Sequence, residues 1–106
     1  MPKFLFKASY TNAGAKGIQS AGGSSRRDAI DKMAQGLGGS LESFYFAFGG
    51  TDGYVLLDLP DNESAAAASI AVNAAGAATT EVVVLLTPEE IDAAAKLSVD
   101  YQPPGS

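Results

Sequence analysis

The sequence predicts an α+β domain built on one four-stranded antiparallel sheet with its helices on one face. Three observations carry that prediction. Apolar runs of period two alternate with stretches whose apolar residues recur at helical spacing. Glycine and proline clusters punctuate the chain at short intervals. The resulting order is strand, helix, strand, strand, helix, strand, with one helix added at the end. At 106 residues the chain has the length of a single domain.

Phe4, Phe6, Ala8 and Tyr10 alternate with Lys3, Leu5, Lys7 and Ser9, which predicts a strand over Lys3 to Tyr10. Thr11 or Asn12 caps a helix to about Ser20, weakened by Gly14 and Gly17. Ala21-Gly22-Gly23 breaks the chain, and Ser24 or Ser25 restarts it with an apolar stripe at Ile30, Met33, Ala34 and Leu37. Gly38-Gly39 ends that helix.

An aromatic run from Leu41 to Phe48 and a second run from Tyr54 to Leu59 flank the turn Gly49-Gly50-Thr51-Asp52-Gly53 and read as a hairpin. Asp61 caps a helix over about Glu63 to Ala75, whose alanines suit close backbone packing on a sheet. Thr79 to Leu86 is the fourth strand. Thr87-Pro88-Glu89-Glu90 has the form of a capping box, with proline at the first helical position, and opens a last helix to about Leu97. Short connections and right-handed crossovers leave few topologies for this order. The ferredoxin-like sheet, with its first strand between the third and fourth, is the simplest. Residues 1–100 are expected to form that single domain, with 101–106 as an extended C-terminal tail.

Several strands are apolar on both sides: Phe44-Tyr45-Phe46, Val55-Leu56-Leu57 and Val82-Val83-Val84. Strands of that kind are buried on both faces. Helices cover one face, so the other needs a cover, and a second copy of the chain is the most economical one. The expectation is a homodimer with a barrel-like interior, possible higher oligomers included. A charged fraction of only 18% agrees with a partly covered surface.

The net charge of −5 argues against nucleic acid as a partner, since phosphate binding needs clusters of Lys and Arg, and against anionic membranes. The chain has neither cysteine nor histidine. Disulfides, thiolate zinc sites, a cysteine nucleophile and the commonest general base and metal ligand are thereby removed. No cofactor and no metal are expected. The start of the chain is too short in apolar residues and too soon charged for a signal peptide, and no run reaches membrane-spanning length, so the expected location is cytoplasmic.

Two places offer chemistry. On the face turned away from the helices, Lys7 is expected near Tyr54, Asp58 and Glu81, with Phe46 among the aromatics that would shape an apolar pocket. Such a lysine can bind a polar ligand or tune a proton transfer, and the same groups also make a plain ion pair across the sheet or the dimer. Around Ser24, Ser25 and Arg26, a glycine-rich turn opening a helix has the parts of an anion site, although it lacks the lysine and spacing of a phosphate-binding loop. Ordinary capping by a serine with solvated arginines explains the same residues. Asp28 and Asp31 are available to offset the arginines.

Taken in order, Met1-Pro2-Lys3-Phe4, the glycine-rich break before Arg26-Arg27, Leu37-Gly38-Gly39, Phe44-Tyr45, Leu59-Pro60-Asp61 and Thr87-Pro88-Glu89-Glu90 resemble the GYD family. These are small, mainly bacterial proteins of the dimeric α+β barrel class. The namesake tripeptide falls on Gly50-Thr51-Asp52, with Thr51 where the family has tyrosine. The resemblance implies the fold and the dimer, and it brings no reaction. It leaves three functions open. One is a homodimer that holds a small apolar or aromatic ligand between its sheets. Another is a cofactor-independent enzyme like the monooxygenases and isomerases of this architecture, with Lys7, Tyr54 and Asp58 as its polar groups. The third is a structural subunit of a larger assembly.

Overall fold

The computed structural model describes residues 1–105. Its elements follow the alternation of strand and helix signals closely. They are β1 (Lys3–Tyr10), α1 (Asn12–Ala21), α2 (Gly23–Gly36), β2 (Ser40–Phe46), β3 (Gly53–Asp58), α3 (Asn62–Ala75), β4 (Ala78–Leu85) and α4 (Pro88–Ala95). The four strands form one sheet in the order β2-β3-β1-β4, and every pairing is antiparallel. The first strand lies between the third and fourth, which is the ferredoxin-like arrangement. The expected tail ends at Ser106, which lies outside the described residues; residues 101–103 have no regular structure, and Pro104 and Gly105 form a turn.

Alternation decides which side chains meet the helices. Phe4 and Phe6 of β1, Val55 and Leu57 of β3, and Leu59 just beyond β3 join Ile30 and Ala34 of α2 and Ala65 and Ala68 of α3 in one core. Phe4, Leu57 and Leu59 are its largest fully buried side chains. The alanines of α3 do what small residues allow, bringing the helix backbone close to the sheet. Asn73 then ties α3 to the edge strand β4. Its carbonyl oxygen accepts from the Thr80 amide at 2.9 Å, its amide donates to Thr80 Oγ1 at 3.0 Å, and Ser69 meets the same hydroxyl at 2.7 Å.

Two details of the helices depart from expectation. Ser24 and Ser25 do not cap α2. Gly22, at φ 86°, ends α1 through its amide to the Ile18 carbonyl and begins α2 without any side-chain cap. The left-handed conformation suits glycine, so the chain turns between the helices in a single residue and both serines fall inside the first turn. Gly14 is also more than a weak point in α1. A Cβ there would sit 1.9 Å from the Ala77 carbonyl oxygen, because Thr11 pins the start of α1 onto the α3–β4 turn. The helix packs where only a hydrogen fits.

β2 stops at Phe46, short of the expected Phe48. The Ala47 amide donates to the Asp52 carbonyl at 2.7 Å and closes the turn there, which leaves Phe48 fully exposed in the loop. The capping box of α4 forms as its sequence predicts, with Thr87 Oγ1 accepting from the Glu90 amide and Glu90 from the Thr87 amide.

Candidate functional site

The face of the sheet opposite the helices holds the residues the sequence singles out. Pairing sets Lys3, Leu5 and Lys7 of β1 between Asp58, Leu56 and Tyr54 of β3 on one side and Leu85, Val83 and Glu81 of β4 on the other. Three rows result. The middle one is apolar, with Leu56, Leu5 and Val83 side by side, all half-buried although no helix lies over them.

At one end of that row Lys3 donates to Asp58 Oδ1 at 2.9 Å and also to Glu42. Glu42 follows Leu41 of the helix face and so lies on this one, at the bulge where the β2–β3 register shifts between Leu41 and Ser43. The bond to Glu42, and after it the bond to Asp58, holds the Lys3 ammonium above the usual lysine range. Hydrogen bonds to the charged form favour that form. Asp58 is therefore the partner of Lys3, four residues along β1 from Lys7, and the expected proximity of Lys7 and Asp58 is not what the register gives.

At the other end Lys7 pairs across the strands with Tyr54 and Glu81, and Tyr45 stands opposite Tyr54. The Lys7–Glu81 contact is long, 3.9 Å, and Glu81 is largely exposed. At that distance the pair is an electrostatic neighbourhood more than a hydrogen bond. Lys7 thus keeps donors for something else, with two phenols beside it.

Phe46 does not belong to this face. It pairs with Gly53 on the helix side, stacks at 4.8 Å from Phe44 and 6.3 Å from Tyr10, and comes close to Gly23. Its expected place between two sheets is corrected to a place between the sheet and the start of α2. Nearby, a cleft of about 250 Å³ is lined by Tyr10, Gly17, Ile18, Ser25, Arg26 and Ala77, among others. Arg26 is half-buried in it and has no ion pair among the described residues. The acids expected to offset it are engaged elsewhere: Asp28 with Arg27 at 3.4 Å, and Asp31 with Gln35 and the Leu41 amide. Ser24 is exposed and does not line this cleft.

Among the described residues no group of three or more His, Cys, Asp or Glu side chains is placed to hold a metal ion. Among the same residues no helix is long and apolar enough to cross a membrane. Lys3 and Glu42 are the residues of this face that sequence reasoning missed as a pair. Lys3 shares the parity of Lys7, and Glu42 alternates with Leu41; that the two meet depends on the strand register, which was not legible.

The loop between β2 and β3 holds the last piece. Ser9 donates to the Gly50 carbonyl at 2.7 Å, the Asp52 amide donates to the Ala8 carbonyl at 2.8 Å, and Asp52 Oδ2 accepts from the Tyr10 amide at 2.9 Å. Asp52 so latches the hairpin onto the end of β1. A family model described as the GYD domain matches residues 4–95. The chain belongs to that family. No curated protein and no solved structure matches it. In this GYD domain the glycine and aspartate of Gly50-Thr51-Asp52 have a structural account, backbone and carboxylate contacts that close the sheet. Half-buried Thr51 sits between them with no hydroxyl bond of its own among those described.

Proposed function

We propose that this GYD domain works as a homodimer whose open sheet faces close on one another, holding a small apolar or aromatic ligand beside Lys7 and Tyr54. The observation that carries the reading is the middle row, Leu56, Leu5 and Val83, which faces away from α2 and α3, the helices that close the core. A two-fold interface must be complementary to itself. An apolar row meeting its own copy satisfies that. The carboxylates of Glu42, Asp58 and Glu81 lie beside Lys3 and Lys7 of the same chain, so closure strands no lysine without a partner. The phenols of Tyr45 and Tyr54 and the loosely held Lys7 then supply the polar contacts that orient a ligand in an otherwise apolar space.

Sedimentation equilibrium tests the assembly. The expected result is a dimer at micromolar concentration, and Leu56→Asp should yield a folded monomer with an unchanged circular dichroism spectrum. A wild-type protein that stays monomeric at those concentrations would sink the reading. For the ligand, thermal-shift screening against small aromatic acids and lactones, repeated with Lys7→Ala, separates a binding site from a surface that Lys7 does not serve. Product analysis on any hit separates binding from turnover.

A further inference from the structure

The C-terminal arm, residues 86–105, lies at the surface along its whole described length. α4 buries none of its residues, and every described residue from Leu86 onward is exposed. The arm is far from polar. Ile91 is 51% exposed, Leu97 71%, Val99 76% and Tyr101 68%. The radius of gyration is 16.8 Å, against about 13 Å for a compact chain of this length. The arm stands off the body.

A helix of this length does not hold itself in water, since isolated helices below roughly 12 residues are marginal even with good capping. Contacts outside the arm must therefore supply what keeps it helical. The sheet faces also leave something to be supplied. Strands about 4.8 Å apart, about six residues long and rising about 3.4 Å per residue give each open face roughly 400 Å². Two such faces hide on the order of 800 Å², short of the roughly 1,200–2,000 Å² of a stable interface. The exposed apolar side chains of each arm offer roughly 60–120 Å² apiece and cover similar area where they land. Two arms bring the total into the stable range.

The arm also begins where such an interface would be. Val83 and Leu85 lie on the open face, and the chain passes from them directly through Leu86 into α4. Its charges fit a second copy as well. It carries Glu89, Glu90, Asp92 and Asp100 against a single Lys96. On the helix side the body presents Lys16 of α1 and Arg26 and Lys32 of α2, which no carboxylate among the described residues pairs.

We infer that the arm is exchanged: α4 and the tail of one copy pack on the body of a second copy, extending the sheet-to-sheet contact on which this inference rests. The absence of cysteine makes the test direct, because a nitroxide on Ser98→Cys reports from one place only. Spin-label mobility and sedimentation are read on the same samples, with Ile91→Asp/Leu97→Asp as the variant. The expected result is a label immobilised in the dimer and freed on dilution to monomer. The double variant should raise the dimer Kd about tenfold or more while circular dichroism keeps the body folded. A label mobile in the full dimer, a label immobilised in the monomer, or a double variant with unchanged Kd each overturns arm exchange. If the dimer ignores the arm variant yet dissolves with Leu56→Asp, exchange alone has failed; a wild-type monomer at every concentration overturns both readings.

Discussion

The two faces of this sheet are made from alternate residues of the same strands, and they solve different problems. Toward the helices β1 sends Phe4, Phe6 and Ala8, all buried; away from them it sends Lys3, Leu5, Lys7 and Ser9, all half-buried. The covered face contains no buried polar or charged residue and is closed by the chain's own helices. The open face keeps an apolar row between two sets of charges that lie beside one another. A face built only for water has no use for that row, and a face built only as core would not carry the lysines. The contrast teaches that one half of this sheet is closed by its own helices while the other keeps an apolar row that those helices leave uncovered.

Substitutions one residue apart break that comparison most sharply. Phe4→Ala should cost about 3–5 kcal/mol, because the cavity opens in a close-packed core. Leu5→Ala, its neighbour on the open face, should barely move the unfolding of the monomer while weakening the proposed dimer. Chemical denaturation across a concentration series reads both terms. If the two substitutions destabilise the dilute protein equally, the faces are not different in kind.

A smaller effect sharpens the helix side. Gly14→Ala should cost roughly 1–3 kcal/mol, since the added carbon meets a backbone carbonyl that cannot swing away. Gly17→Ala, three residues on and facing open space, should be neutral or stabilising by up to about 1 kcal/mol. Thermal unfolding of the pair distinguishes a packing glycine from a merely flexible one.

The smallest effect belongs to the open face. Lys3 has its ionisation raised in the folded state by Glu42 and Asp58. A raised folded value means a contribution fully present below the unfolded value and lost as pH rises through the folded one. The difference in stability between the native protein and Lys3→Met should therefore be flat through neutral pH and vanish only in the alkaline range. A difference that instead varies between pH 5 and 8 would show the pair is not what Lys3 contributes.

Much of this was legible in the sequence, and the failures have physical causes. The parity of β1 was readable because lysines and phenylalanines alternate without interruption, so the face of Lys7 and its neighbours Tyr54 and Glu81 followed from the topology. Asp58 went to Lys3 because the β1–β3 register is fixed by the length of the loop and crossover, which side-chain pattern alone does not encode. Phe46 was misplaced for a related reason. The bulge at Glu42 reverses parity along β2, so Leu41 and Phe44, an odd number of residues apart, share one face. The capping serines failed because Gly22 ended one helix and began the next by itself. In α4 the opposite holds. Its capping box is read directly from four residues, yet the same residues say nothing of how bare the helix would stand.

The pairing of Lys3 with Leu85 has one more consequence. The strand that opens the chain and the strand that leads into the arm meet at the same end of the sheet, where the turns before β2 and after β3 also lie. The Gly50-Thr51-Asp52 latch, the Tyr10–Thr11 corner and the Gly76–Ala77 turn all lie at the other end. The molecule is polar in the mechanical sense, with the start of β1 and the end of β4 on one pole. A tag or surface tether joined ahead of β1 therefore crowds the start of the arm while presenting the latch pole to solution. An attachment at the exposed Phe48 loop would do the reverse, leaving the arm pole unencumbered for another molecule to reach.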